Sequence, residues 1–126
     1  MKKVLIVDDE KDVLWMLGKR LTAEGYFVIT ATNGKDAITL AKSKHPDIII
    51  LDIMMPGIGG GEVAAELKEN PSTSSIPVIL LTALLSKAEE EGYDSVVGGN
   101  ITLAKPLDAE KLLDLMKKLF DGAAVL

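Results

Sequence analysis

Asp47-Ile48-Ile49-Ile50-Leu51-Asp52 is the stretch whose reading decides the fold. Its apolar residues are consecutive rather than alternating, most are β-branched, and the run is too short for a helix. It therefore reads as a strand, 47–51, buried on both faces, as in a parallel sheet covered by helices on each side. Four more runs of the same kind flank it: Lys3 to Val7, Tyr26 to Ala31, Val78 to Thr82 and Asn100 to Ala104. Each predicts a strand.

Between the strands the apolar residues change to helical spacing. Leu14, Leu17 and Leu21 mark one amphipathic helix, Ala37, Ile38 and Ala41 a second, and Val63, Ala64 and Leu67 a third. Leu112, Leu115, Met116 and Leu119 mark the last. Gly25 can end the first helix in a left-handed conformation, and His45-Pro46 stops the second. Asp108 is placed to cap the last. The segment from Leu84 to Val97 has interrupting glycines and three consecutive glutamates, so a short or irregular helix is expected there. Alternating strands and helices imply an α/β domain: parallel strands, right-handed crossovers and a doubly wound sheet.

The chain's 126 residues are enough for a single core. Its 48% hydrophobic and 26% charged residues are the balance of a globular protein. A net charge of −5 without a long basic run disfavours direct contact with nucleic acid or an anionic membrane surface. The apolar start ends at Asp8, short of a signal-peptide core, and Val78 to Leu85 is too short to span a bilayer. The absence of cysteine excludes disulfide and thiol chemistry and suits a reducing, cytoplasmic setting.

Ligands of open parallel sheets bind beyond the carboxyl ends of the strands, where the strand order reverses. Polar residues gather at those ends: Asp8, Asp9 and Glu10 after the first strand, Asp52 after the third, Thr82 closing the fourth, and Lys105-Pro106 after the fifth. Singly, each has a plain reading as a cap, a strand end or a solvated loop charge. Together Asp8, Asp9 and Asp52, with Thr82 and Lys105, place three carboxylates, a hydroxyl and an ammonium in one crevice. Converging carboxylates repel by about 4 kcal/mol per pair at 4 Å and an effective dielectric near 20, so a cation is expected among them. Oxygen donors without cysteine favour Mg²⁺ or Mn²⁺ over Zn²⁺. With Lys105 opposite, the set predicts phosphoryl-transfer chemistry.

Val7-Asp8-Asp9-Glu10, Leu51-Asp52-Ile53-Met54-Met55-Pro56-Gly57, Leu81-Thr82-Ala83 and Lys105-Pro106, at these intervals, resemble the receiver domain of response regulators over nearly the whole chain. The resemblance implies a flavodoxin-like, five-stranded parallel sheet in the order 2-1-3-4-5. It implies that Asp52 is the nucleophile, taking a phosphoryl group from a phosphohistidine on a sensor histidine kinase or phosphotransfer protein. It makes Asp8, Asp9, Asp52 and the carbonyl of Met54 the Mg²⁺ ligands, Asp8 chiefly through water. Thr82 and Lys105 would hold phosphoryl oxygens, small Ala83 would leave room for attack, and Pro106 would follow a cis peptide. The chain would catalyse its own phosphorylation and dephosphorylation without being a turnover enzyme.

The resemblance also implies that phosphorylation changes the surface of segment 84–107 for a downstream protein target or effector domain, in a monomer or a weak phosphorylation-dependent dimer. Residues 1–120 are expected to form the receiver domain and 121–126 a C-terminal tail, in a stand-alone protein or one excised from a longer regulator. Three positions depart from the family's habit: Thr102 replaces a frequent aromatic, Gly59 a frequent capping aspartate, and Leu107 a frequent phenylalanine. The rival reading is a Mg²⁺-dependent aspartyl-phosphate phosphohydrolase of the haloacid-dehalogenase type. Its Asp-x-Asp pattern is not met by Asp8-Asp9-Glu10. The glycines at 57 and 59–61 form neither a dinucleotide fingerprint nor a P-loop. Met54 and Met55 are expected to fill the loop's contact with the core, and His45 to sit at a helix end.

Overall fold

The computed structural model describes residues 1–82, 96–97, 100–105 and 108–122. Strands β1 (Lys3–Val7), β2 (Phe27–Ala31), β3 (Ile48–Asp52) and β4 (Val78–Thr82) alternate with helices α1 (Lys11–Ala23), α2 (Gly34–Lys44) and α3 (Gly60–Glu69). β5 (Val96–Val97), β6 (Asn100–Ala104) and α4 (Ala109–Phe120) complete the described elements. The five long strands are all parallel, and the sheet runs β2-β1-β3-β4-β6-β5. Counting those five alone, the order is the expected 2-1-3-4-5. β5 is an addition that the sequence did not signal: two residues paired antiparallel to β6 at the edge. Val96 and Val97, expected in an irregular helix, are therefore in a strand. The rest of that expected helix, with Ala83, Pro106 and Leu107, lies outside the described residues.

The continuous apolar strands have the burial they predict, because successive side chains feed two different cores. Val4, Ile6, Ile48, Ile50, Ile79 and Leu81 pack against Leu14, Leu17 and Leu21 of α1 and Leu112, Leu115 and Met116 of α4. Leu5, Val7, Ile49, Leu51, Val78 and Leu80 face Ala37, Ile38 and Ala41 of α2 and Val63, Ala64 and Leu67 of α3. Every strand residue between Ile48 and Asp52 is thereby buried.

The punctuation residues act as read. Gly25 has φ +94°, His45 takes a left-handed φ of 49° after α2, and the Asp108 carboxylate accepts from the N–H groups of Glu110 and Lys111. Two starting glycines extend the apolar stripes of their helices: Gly34 precedes Ala37, Ile38 and Ala41, and Gly60 precedes Val63, Ala64 and Leu67, each at the i, i+3, i+4, i+7 spacing. Gly60 lies so close to β3 that a Cβ there would stand 2.6 Å from Ile53 Cα and against the carbonyl of Asp52. α3 thus starts directly on the backbone that presents Asp52.

Candidate functional site

Strand register assembles the site. Val7 lies opposite Leu51, so Asp8 emerges beside Asp52. Asp52 lies opposite Leu81, one residue before Thr82, and Thr82 lies opposite Ala104, one before Lys105. The Lys105 N–H donates to the Thr82 carbonyl at 2.9 Å, carrying the pairing one step past β6. The residues so aligned stand at the carboxyl ends of β1, β3, β4 and β6, where the order reverses between β1 and β3.

Asp8, Asp9 and Asp52 each offer a carboxylate oxygen within 4.8 Å of the others. Asp8 and Asp52 are buried and Asp9 is exposed. The Lys105 ammonium enters this group, 3.0 Å from Asp8 Oδ2, 3.3 Å from Asp52 Oδ2 and 3.4 Å from Glu10 Oε1. The other Asp8 oxygen accepts the Glu10 N–H at 2.9 Å, and Asp52 Oδ1 accepts the Met54 N–H at 3.2 Å. Thr82 is buried beside them on the neighbouring strand.

Burial and the Asp8 charge push the Asp52 carboxyl above the ordinary carboxylate range; the Met54 N–H and Lys105 oppose this without cancelling it. For Lys105, burial pulls the ammonium down, but its hydrogen bond to Asp8 and the charges of Asp8 and Asp52 outweigh burial and raise its pKa. One ammonium does not balance four carboxylates. Asp8, Asp9, Glu10 and Asp52 leave a formal −3 beside Lys105, which a divalent cation on the oxygen donors of Asp8, Asp9 and Asp52 would bring to −1. The donor set is all hard oxygen and fits Mg²⁺.

Of the residues picked out from sequence, Asp8, Asp9, Asp52, Thr82 and Lys105 come together here. Met54 contributes its N–H to Asp52, while the residue as a whole is 61% exposed. The expectation that both methionines fill the core contact is therefore corrected: Met55 is buried among α2 and α3 residues, and Met54 points outward from the loop. Thr102, at the frequent aromatic place, is a fully buried residue of β6 opposite Leu80. Gly59 begins α3 without a side-chain cap, and the Gly60 N–H donating to Ile53 O closes the loop instead. Sequence reasoning left two contributors without a role: Glu10, whose carboxylate reaches Lys105, and Gly60, whose missing Cβ admits the Asp52 carbonyl. The helical spacing from Gly60 to Leu67 was the available signal for the second.

Residues 4–117 match the response regulator receiver domain. The chain is 34% identical over 122 residues to protein PilH of Pseudomonas aeruginosa, covering 97% of this chain and all of PilH. It is 41% identical over 118 residues to response regulator PleD of Caulobacter vibrioides, covering 93% of this chain but 26% of PleD, so it spans about a quarter of that relative. Chemotaxis protein CheY4 of Vibrio cholerae superimposes with a TM-score of 0.80 at 31% identity, covering 94% of this chain and 98% of that one. Response regulator TrrA of Thermotoga maritima, solved in complex with Mg²⁺ and BeF, superimposes with a TM-score of 0.78 at 36% identity, covering 94% and 99%. On sequence and fold together, the chain belongs to the response regulator receiver domain family of two-component signalling.

Proposed function

We propose that this receiver is a phosphoryl-accepting switch in which Asp52 is the acceptor. The observation carrying this reading is the pairing of buried Asp8 and Asp52 with the Lys105 ammonium, with Asp9 at the rim. A carboxylate oxygen of Asp52 attacks the phosphorus of a phosphohistidine on a sensor kinase or phosphotransfer protein. The O–P bond forms as the P–N bond breaks, and the electron pair leaves with the imidazole nitrogen. Hydrolysis of the resulting acyl phosphate returns Asp52 and inorganic phosphate, so the protein catalyses its own reset and is not a turnover enzyme.

Asp8, Asp9, Asp52 and the Met54 carbonyl are the residues that would hold Mg²⁺, which when bound supplies positive charge to the oxygens of the transferring group. Lys105, already within reach of Asp52 Oδ2, holds one phosphoryl oxygen and the Thr82 hydroxyl another. The Met54 N–H fixes the Asp52 carboxylate by its other oxygen. The protein acts in the cytoplasm, with residues 1–120 as the switching unit. Thr82 and Lys105 follow the new charge on Asp52, and the surface of 84–107 changes for a downstream protein or effector domain.

Incubation with acetyl phosphate and Mg²⁺ tests the reading. Uptake of one phosphoryl group, released by hydroxylamine and abolished by chelation, is expected. Uptake that survives chelation, or none in the presence of the metal, overturns it.

A further inference from the structure

Glu10 stands at the N-cap position of α1, yet its side chain makes no capping bond to the helix. The shorter aspartate carboxylate ordinarily accepts from the free N–H groups of the first turn; the glutamate side chain, one methylene longer, is free to reach elsewhere. Here it lies 3.4 Å from the Lys105 ammonium, while the Glu10 backbone N–H donates to Asp8 Oδ1 and Lys105 Nζ donates to Asp8 Oδ2. Asp8, Glu10 and Lys105 thus close a ring of three contacts. Two sides of it hold Asp8, and the third joins Lys105 to the one ring carboxylate that faces solvent, Glu10 at 63% exposed.

We infer that Glu10 is a positioning residue that receives the Lys105 ammonium when a divalent cation takes up Asp8, Asp9 and Asp52. This rests on the reading of those three carboxylates as the cation site. Lys105 serves here as the internal countercharge of Asp8 and Asp52, the same two groups a cation would bind. Both positive charges cannot sit close to both carboxylates without strong mutual repulsion. The ammonium must draw back while staying near Asp52 to meet a phosphoryl oxygen, and Glu10 is the acceptor already in contact with it. With its third hydrogen on Glu10, Lys105 can loosen its hold on Asp8 without being left unpaired. Glu10 thereby reduces the competition between Lys105 and the metal.

An exposed carboxylate near a cation site also attracts the cation directly, so the test must separate charge from the Lys105 contact. Mg²⁺ alone is titrated against amide chemical shifts in the native protein, Glu10→Gln, Lys105→Met and the double variant. Glu10→Gln is expected to weaken Mg²⁺ binding about tenfold when Lys105 is present, the size of a coupling between contacting groups. In the Lys105→Met background the loss is expected to shrink to about twofold, the size of an exposed charge acting alone. The same loss in both backgrounds overturns the inference while leaving the cation site intact. Absence of any Mg²⁺-dependent shift in the native protein overturns the cation site itself. If Lys105→Met does not fold, Glu10→Asp decides, because it keeps the charge and is one methylene too short to hold the ammonium. Binding as weak as in Glu10→Gln is expected, and native affinity in Glu10→Asp overturns the inference.

Discussion

Lys105 Nζ stands 3.0 Å from Asp8 Oδ2, and Asp8 has no solvent-exposed surface. This ammonium, brought from the end of β6 to the end of β1, is what makes two buried carboxylates compatible with a folded, metal-free protein. Charge removed from such a pair leaves its partner buried and uncompensated, which costs far more than the net worth of the pair.

Lys105→Met is therefore expected to destabilise the metal-free protein by about 3 kcal/mol. Because Mg²⁺ replaces the lost positive charge and binds only the folded site, it should restore part of that loss. Urea denaturation with and without chelator checks both effects; a variant as stable as the native protein in chelator contradicts the role given to Lys105.

Asp52→Asn should act in the opposite direction. The Asp52 carboxyl titrates above its ordinary range in the fold, by burial first and the Asp8 charge second. A carboxylate raised in this way detracts from stability at pH values above its folded pKa, and that penalty fades as pH falls towards the ordinary carboxylate range. In chelator at neutral pH the amide is expected to stabilise the protein. The advantage should disappear in acid. Denaturation midpoints across pH decide, and an advantage that grows on acidification would contradict the sign.

Asp8 and Asp9 are adjacent in sequence and differ in surroundings. Asp8 is buried, paired with Lys105 and bonded to the Glu10 N–H, whereas Asp9 is exposed. Asp8→Ala is expected to cost about 2 kcal/mol or more of metal-free stability, since it removes the main partner of Lys105. Asp9→Ala should change it by less than about 0.5 kcal/mol while weakening Mg²⁺ binding. Matched denaturation and metal titrations of the two variants check this; equal stability losses would contradict it.

Gly60→Ala and Gly61→Ala form a second matched pair. A Cβ at Gly60 would meet Ile53 Cα at 2.6 Å, whereas a Cβ at Gly61 meets nothing within 4 Å. The first change forces backbone apart beneath Asp52 and is expected to cost about 1–3 kcal/mol. The second places a better helix former in open space and should stabilise by about 0.5 kcal/mol. Thermal melts of both variants check the contrast, and similar effects would mean that α3 does not rest on the β3 end as described.

The fold was legible because burial on both sheet faces leaves unbroken apolar runs such as Ile48 to Leu51, and because the helical stripes keep their period. The five long strands and the buried apolar side chains of α1, α2 and α3 follow from those two patterns alone. The site was legible as a set of residue types, since register carries Asp8, Asp52, Thr82 and Lys105 to adjacent strand ends. What escaped was decided by geometry without periodicity. Two residues of β5 are too few to signal a strand, and nothing in the sequence tells that Met55 turns inward while Met54 turns out. That Glu10 reaches Lys105 depends on a contact across 95 residues. Gly60 was readable in principle, as the first member of a buried stripe.

The central claim is that Asp52 alone receives the phosphoryl group. Native protein and Asp52→Asn, each incubated with acetyl phosphate and Mg²⁺ and analysed by intact mass, test it directly. The account predicts one phosphoryl group on the native chain, mapped to the peptide containing Asp52, and none on the variant. Equal labelling of the two proteins would contradict it.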